Sequence, residues 1–380
     1  MKYTPYTLED VKKASAQKKF SVISLFAGGG GSSTGYRLAG GDIRLINEFV
    51  EAAVETYTAN FPDTPVLVDD IKKYSGQDFL DKTGLKEGEL DILDGSPPCS
   101  AYSVSSMVSR NQEGWNKTKN YSDGKKVENI EDLFLEFIRV AEVIKPKVIV
   151  AENVKGITMD FAKPKLRQFV NAFESIGYNM SYKVMSAADY GVPQHRERTI
   201  FIGIRDDVCS KVGLTFLNIH GIFPEPFSER IRFEDALQGL ENDEEQAKML
   251  EDYLKDSWQW KFVEPIPFRP NRYLKASNPM FKETNPKGSC FNMIRCSPDL
   301  PCPTLTQTGQ KKGKSGIIHY EANRKLTINE MKRAMALPDD YILTGDFDAQ
   351  AERIGRMVAP KMMKEIAGSI YEKVLEKYNG

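Results

Sequence analysis

A single cysteine stands where an apolar strand of the sequence meets a turn stiffened by two prolines. The stretch runs from Asp91 to Ser103 and presents Cys99 directly after Pro97 and Pro98. Proline fixes its own φ and lacks a backbone donor, so the two prolines favour an extended, exposed turn over a helix. Catalytic groups of open α/β sheets usually lie at strand ends. The pattern favours a nucleophilic thiol, although a lone cysteine at a strand end is more often a small buried residue.

Charged side chains occupy the ends of other predicted strands. The apolar run KVIVAENV ends with Glu152 close to its last residue. Further along, Gln194, Arg196 and Arg198 alternate on the approach to a strand, which places the three side chains on one face. Taken alone, each arginine is equally well interpreted as a surface residue of a strand.

A glycine-rich turn follows the predicted strand Ser21–Phe26 and leads into a short helix. In this arrangement, backbone N–H groups and a helix N-terminus approach an anionic or nucleotide-like ligand, although a tight turn needs glycine too. Glu48, about 20 residues beyond the turn, is placed to take ribose hydroxyls. Phe49 offers a stacking surface, and Asp70 ends the third strand as an adenine contact. Three strand ends therefore line one nucleoside-shaped site.

Strands alternate with helices up to about residue 205, which predicts an α/β fold with a doubly wound, mostly parallel, Rossmann-like sheet. From 206 to 322 neither a helix period nor a strand period persists, and prolines and aromatics dominate. We predict a catalytic, cofactor-binding domain at 1–205 and a smaller, irregular domain at 206–322. Residues 323–380 are predicted to pack back on the first domain.

Composition excludes several classes of protein. The chain has 380 residues, 41% of them hydrophobic, and a formal net charge of −1. Nucleic-acid binding would therefore depend on local basic patches, for which 116–126 and 311–316 are candidates. The five cysteines form no CxxC pair and the three histidines are scattered, so neither a disulfide framework nor a metal site is indicated. No apolar run approaches the roughly 20 residues that cross a bilayer, and we expect a cytoplasmic protein.

Short motifs along the chain resemble those of the DNA cytosine-5 methyltransferases of bacteria and phages. They follow in the order of that family: FAGGGG, NEF, DDI, SPPCSAYS, ENV, QHRER, RCSPDLPCPTLT and IGRMVAP. Any one of them could arise by chance. Eight in order, over nearly the whole chain, favour the functional interpretation of Cys99.

The resemblance implies a mechanism for these residues. Cys99 adds to carbon 6 of cytosine, since a thiolate is the best nucleophile near neutral pH. Glu152 protonates N3 as a general acid, and Asn153 shapes the pocket. Arg196 and Arg198 lie beside the base oxygen, the nucleophile and the phosphates. The target cytosine must leave the duplex to reach them, with the polar segment 101–127 as a lid and 206–322 as the target-recognition domain.

The resemblance also implies a binding site for S-adenosylmethionine. The residues that match the cofactor motifs of the family are Phe26, Gly28, Gly30, Gly31, Glu48, Phe49, Asp70, Ile71, Pro98, Arg356 and Val358. The expected partner is double-stranded DNA, and the enzyme either shares a system with a cognate restriction endonuclease or acts as a solitary methyltransferase. We expect a monomer.

One residue departs from the family pattern in a way that bears on the cofactor. Arg356 stands where the family has an asparagine beside the sulfonium and methionine portion. A cation beside a sulfonium is unfavourable at short range. One interpretation turns the side chain toward the carboxylate of the cofactor, an acidic neighbour or a phosphate. The other has Arg356 select carboxy-S-adenosylmethionine, which would yield 5-carboxymethylcytosine.

Two further functions stay open at this point. The SPPC and ENVKG stretches also resemble the branch of the family that modifies transfer RNA, although the irregular region of roughly 100 residues favours a DNA reader. A binding module that has lost catalysis is disfavoured, because Cys99, Glu152 and both arginines are intact.

Overall fold

The computed structural model describes residues 1–97, 119–120, 126–127, 132–275 and 293–380. One large sheet dominates this part of the chain. Its strands are β1 (Phe20–Leu25), β2 (Gly41–Glu48), β3 (Val66–Val68), β4 (Ile92–Gly95), β5 (Val148–Val154), β6 (Tyr178–Ser186) and β7 (Glu197–Arg205). Among the described residues, the seven strands are arranged in the order β3-β2-β1-β4-β5-β7-β6.

The first five strands of the sheet are parallel, and only β7 breaks the pattern. Strand β7 pairs antiparallel with both β5 and β6. The central strands read as continuous apolar runs, which is typical of strands that are covered on both faces. Successive residues of β1 show this directly, because Val22 and Ile23 are both fully buried but belong to separate cores on opposite faces. The predicted doubly wound α/β sheet is confirmed.

Helices cover the two faces of the sheet. Up to strand β7 they are α1 (Leu8–Ser15), α2 (Gly31–Leu38), α3 (Glu51–Asn60), α4 (Gly76–Thr83), α5 (Asp132–Ile144) and α6 (Lys163–Glu174). In the sequence between β4 and α5, two short strands of two residues each pair with one another in an antiparallel manner. They are Lys119–Asn120 and Lys126–Val127. Within the described residues, no helix combines the length and apolar character that crossing a membrane requires.

Residues 206–322 contain short elements joined by irregular chain. The helices are α7 (Asp206–Val212), α8 (Phe233–Leu237), α9 (Glu244–Lys255) and α10 (Trp260–Val263), and three two-residue strands form a small sheet. Leu254, Val263 and Ile318 belong to a small apolar cluster of this region. Phe233 and Cys302, in contrast, pack into the main core. The proposed boundaries at 205 and 322 stay predictions.

The C-terminal segment returns to the sheet. It consists of α11 (Ile328–Met335), α12 (Phe347–Arg356), α13 (Pro360–Ile370), a π-helical turn at Tyr371–Leu375 and α14 (Glu376–Asn379). Helix α13 packs so closely on α2 that a Cβ added at Gly35 would lie 2.5 Å from the carbonyl oxygen of Pro360. This contact joins the end of the chain to the helix that follows the glycine-rich turn.

Candidate active site

The turn after β1 bends through backbone angles that favour glycine. Phe26, Gly28 and Gly30 have φ values of 54°, 57° and 91°, and α2 begins at the next residue, Gly31. A Cβ added at Gly31 would lie 2.3 Å from the carbonyl oxygen of Val358. The turn therefore brings backbone N–H groups and a helix N-terminus to the end of a parallel strand, where they suit an anionic or nucleotide-like ligand.

Glu48, at the end of β2, ties this turn to the next loop. Its Oε2 accepts a hydrogen bond of 2.7 Å from the backbone N–H of Gly28. Its Oε1 accepts bonds of 2.9 Å from the N–H groups of Phe49 and Val50. A carboxylate has about four lone-pair sites, so the buried side chain can hold the turn and still accept from a ribose hydroxyl.

The third strand end carries Asp70 and Ile71. The Oδ1 of Asp70 accepts from the backbone N–H of Lys72 at 3.0 Å and caps the short 3₁₀ helix Ile71–Lys73. Ile71 is buried in the core on one side of the sheet. Three of the predicted cofactor segments thus lie at the same edge of neighbouring strands β1, β2 and β3.

The predicted nucleophile, Cys99, and the cofactor residue Pro98 lie outside the described residues, as does the predicted lid apart from 119–120 and 126–127. The described chain follows β4 to Gly95 and continues to the buried Pro97. Strand β4 lies between β1 and β5 and is parallel to both. The chain that leads to Cys99 therefore leaves the sheet at the same edge as the glycine-rich turn.

Glu152 and Arg198 meet on neighbouring strands. The Nε of Arg198 lies 2.6 Å from Oε1 of Glu152, and the two side chains are only 15% and 12% exposed. Asn153, the next residue of the strand, is also buried, and its Oδ1 accepts from the backbone N–H of Val154 at 2.8 Å. A buried carboxyl group next to a guanidinium is thereby fixed at the end of β5, one strand from β4.

Arg196 lies deeper than its assigned role requires. The side chain is 1% exposed, and its Nη1 donates to the carbonyl oxygen of Leu305 at 2.9 Å. Its Nη2 donates to the carbonyl oxygens of Gly355 and Met357 at 2.9 and 2.8 Å. This geometry differs from the contact with base, nucleophile and phosphates that the resemblance implies. Arg196 instead joins the start of β7 to the chain around α12.

Arg356 forms an ion pair with an acidic residue of its own helix. Its Nε and Nη2 donate to Oε1 of Glu352 at 2.9 and 2.5 Å. The other oxygen of Glu352, a residue that is 5% exposed, accepts a hydrogen bond from Lys311 of the basic loop 311–316. The acidic neighbour was one of the partners considered for Arg356. Selection of a carboxylated cofactor finds no support here, because the guanidinium already has a buried anionic partner.

Sequence reasoning passed over two acidic residues of this site, Asp94 and Glu352. For each of them the sequence contains a feature that could have indicated its role. Asp94 interrupts the apolar run of β4, and Glu352 precedes Arg356 by four residues, the spacing of an ion pair on one helix face. No group of three His, Cys, Asp or Glu side chains in the described chain is arranged to hold a metal ion.

Comparison of the sequence with known proteins finds a matching family and relatives. A sequence model of the family described as C-5 cytosine-specific DNA methylase matches residues 20–372. The type II methyltransferase M1.HphI of Haemophilus parahaemolyticus is 30% identical over 355 residues, which cover 92% of this chain and 86% of that protein. M.SacI of Streptomyces achromogenes is 28% identical over 390 residues and covers 93% of each.

Solved structures share the fold. A DNA modification methyltransferase encoded within an E. coli prophage superposes with a TM-score of 0.67 at 20% sequence identity, over 94% of this chain and 99% of that chain. The S. pombe Dnmt2 methyltransferase superposes with a TM-score of 0.60 at 16% identity, over 95% and 99%. At these identities the likeness concerns the fold.

Proposed function

The chain belongs to the C-5 cytosine-specific DNA methylases and is a DNA cytosine-5 methyltransferase, and we propose that it works by covalent addition to a flipped cytosine. The observation that carries this mechanism is the buried pair of Glu152 and Arg198 at the sheet edge where the chain leaves toward Cys99. An acid and a fixed cation next to an approaching thiol are the groups that addition to a cytosine ring needs.

The first step joins sulfur to carbon. The thiolate of Cys99 adds to carbon 6, while the carboxylic acid of Glu152 gives its proton to N3, so the ring becomes a neutral enamine with a nucleophilic carbon 5. Arg198 orients the carboxyl group and stabilises its anion once the proton has left. Asn153 shapes the wall of the pocket.

When bound, S-adenosylmethionine would supply the methyl group to carbon 5 and, as its S–CH3 bond breaks, leave as S-adenosylhomocysteine. The glycine-rich turn and Glu48 fit such a group, because α2 begins at the end of the turn and Glu48, which accepts three backbone N–H bonds, keeps about one acceptor site for a hydroxyl. Phe26, Gly28, Gly30, Gly31, Phe49, Asp70, Ile71, Pro98, Arg356 and Val358 complete the proposed site. After methylation, water takes the carbon-5 proton, Glu152 recovers the N3 proton, and Cys99 leaves carbon 6.

Phosphate contacts are assigned to the basic loop 311–316. Lys325 holds this loop in place, because its buried Nζ donates hydrogen bonds to the carbonyl oxygens of Gly309 and Lys314 at 3.0 and 2.6 Å. A supported loop can present its lysines to a duplex without rearranging, which suits phosphate contacts. The rest of 206–322 is proposed to read the target sequence in the major groove. We also propose that the monomeric protein protects DNA from a cognate endonuclease in the cytoplasm.

Transfer of tritium from labelled S-adenosylmethionine tests the function. We expect incorporation into unmethylated duplex DNA and none into transfer RNA, and Cys99→Ser should abolish it because a hydroxyl is far less ionised than a thiol. Duplex DNA with 5-fluorocytosine at the target should trap a covalent adduct, since fluorine cannot leave as a proton. Turnover in Cys99→Ser, or labelling of transfer RNA alone, would overturn the proposal.

A further inference from the structure

A carboxylate is buried in the middle of the sheet, two residues before the chain turns toward Cys99. Asp94 of β4 is 1% exposed. Its Oδ2 accepts hydrogen bonds from the hydroxyls of Ser24 and Ser32 at 2.7 and 3.1 Å, and its Oδ1 accepts from that of Tyr36 at 3.1 Å. Among the described residues, no cation forms an ion pair with it.

These three hydroxyls come from the elements that build the glycine-rich turn. Ser24 is the direct cross-strand partner of Asp94 on β1, two residues before Phe26. Ser32 and Tyr36 belong to α2, which begins at the end of the turn. One carboxylate therefore connects the strand before the turn, the helix after it and the strand that leads to the nucleophile.

The same carboxylate lies on the face of the sheet that carries Glu152. Asp94 pairs with Val150 of β5, and Glu152 is two residues further along that strand. Residues two apart on a strand share a face, and diagonal neighbours on adjacent strands are roughly 7–8 Å apart. Two carboxyl groups at such a distance disfavour each other's ionisation in a buried site.

From this geometry we propose that Asp94 is a positioning residue for the methyl transfer, with two effects. Its hydrogen bonds hold the nucleophile strand in register with the glycine-rich turn, and its negative charge favours the protonated form of Glu152 that the proposed mechanism uses. The second effect rests on the proposed function. It also opposes Arg198, whose guanidinium favours the ionised form of Glu152.

The ionisation of Asp94 is consistent with this role. Burial raises the pKa of the Asp94 carboxyl to about 6, against the lowering effect of the three hydroxyls, and the charge of Glu152 adds a smaller raising contribution. The groups that face Asp94 are thus Ser24, Ser32, Tyr36 and Glu152. Above about pH 6 the carboxylate of Asp94 is ionised, so its charge is present at neutral pH.

Two variants separate the charge from the fold. Asp94→Asn removes the charge and keeps the shape of the side chain. The double variant Ser24→Asp/Asp94→Ser exchanges the two cross-strand partners, so a buried carboxylate still faces a hydroxyl but lies one strand, about 4.8 Å, farther from β5. The measurement is the pH profile of the single-turnover methylation rate on duplex DNA, together with the melting temperature of each variant.

In the wild-type protein we expect the single-turnover rate to fall at high pH, and this alkaline limb of the profile should vanish in Glu152→Gln. In both Asp94 variants the limb should move to lower pH, by about 0.5 to 1 unit in Asp94→Asn, even where the melting temperature is unchanged. If either folded variant keeps the limb at its wild-type pH, the inference is overturned. If the wild-type protein does not methylate, or if Glu152→Gln retains the limb, the proposed function fails instead.

Discussion

Arg198 holds the carboxyl group of Glu152 through a contact of 2.6 Å between Nε and Oε1 in a largely buried setting. The pair is fixed by strand register, because Val154 of β5 lies opposite Arg198 and Glu152 lies opposite Ile200 on β7. The guanidinium favours the ionised carboxylate. Arg198 can therefore hold the carboxyl group in place and stabilise the anion that the proposed proton transfer to N3 leaves behind.

Replacement of Glu152 by glutamine removes the titratable proton and keeps the shape of the side chain. We expect the single-turnover methylation rate to fall roughly 100-fold or more, which is the usual contribution of a general acid. Glu197→Gln is a matched control, since this neighbouring glutamate is exposed and pairs with Lys155 at the surface. The control should stay within about twofold of wild type, and an unchanged rate in Glu152→Gln would assign the protonation of N3 to another group.

Arg196→Met removes the donors to three buried carbonyl oxygens and leaves them without partners. Each buried acceptor without a hydrogen bond costs about 1–3 kcal/mol, and we expect the free energy of unfolding to fall by about 3 kcal/mol. Urea titration measures this change. Arg167→Met, at an exposed position of α6, should change it by less than about 0.5 kcal/mol. Equal effects of the two substitutions would show that the buried hydrogen bonds of Arg196 do not stabilise the fold.

The fold could be predicted because strand and helix periods alternate up to residue 205, and the strand ends could be predicted as a common edge for the same reason. The depth at which individual side chains are buried could not be predicted from the sequence. The alternation of side chains along a strand places Arg196 and Arg198 on one face. It does not reveal that Arg196 donates hydrogen bonds to carbonyl oxygens more than 100 residues away in sequence. The three-way contact of Asp94 likewise depends on residues about 60 to 70 positions earlier, so it follows from packing and not from local sequence.

Because His319 is buried as a neutral ring, we expect the folded protein to lose stability in mild acid. The neutral ring is built into the fold, because Nδ1 accepts from the backbone N–H of Glu321 at 3.1 Å. Burial lowers the pKa of His319 to about 4, with Glu330 opposing. The unfolded chain binds a proton near pH 6.5 and the folded protein only near 4, so stability is full above about 6.5 and falls as the pH decreases toward 4.

Between pH 7 and pH 5 this difference amounts to about 2 kcal/mol of unfolding free energy. His319→Gln keeps an acceptor for the N–H of Glu321 but does not titrate. We therefore expect the drop between the two pH values, measured by urea titration, to be smaller by about that amount in the variant. Equal drops in both proteins would contradict a depressed pKa of His319.

Gly31→Ala tests the close approach of the glycine-rich turn to the C-terminal segment. The added Cβ would lie 2.3 Å from the carbonyl oxygen of Val358, which is backbone and cannot swing away. We expect the turn and the α12–α13 connection to separate, with a loss of about 1–3 kcal/mol in stability and weaker binding of S-adenosylmethionine by calorimetry.

Gly368→Ala is the matched control for that substitution. Gly368 lies within α13, and nothing would come within 4 Å of its Cβ. Alanine is the better helix former, so this variant should be more stable than wild type by up to about 1 kcal/mol and should bind the cofactor normally. A tolerated alanine at Gly31 would mean that the two segments are not tightly packed in solution.

Glu352 keeps two cations, Arg356 and Lys311, neutralised beside the proposed sulfonium site. In Glu352→Gln both cations lose the negative charge of this carboxylate, and repulsion between Arg356 and the positively charged cofactor should weaken binding of S-adenosylmethionine about 10-fold. The neutral product S-adenosylhomocysteine carries no sulfonium charge and should bind nearly as well as to wild type.

The double variant Glu352→Gln/Arg356→Asn removes the guanidinium together with the acid. We expect it to recover most of the affinity for S-adenosylmethionine, because the side chain of Lys311 can turn toward solvent while Arg356 is fixed to the end of α12. Arg356→Asn alone should bind the cofactor within about threefold of wild type and transfer only methyl groups. Calorimetric titration of the four proteins with both ligands forms a double-mutant cycle. If Glu352→Gln weakens both ligands equally, charge at Arg356 does not act on the sulfonium, and the acid has only a structural part in this site.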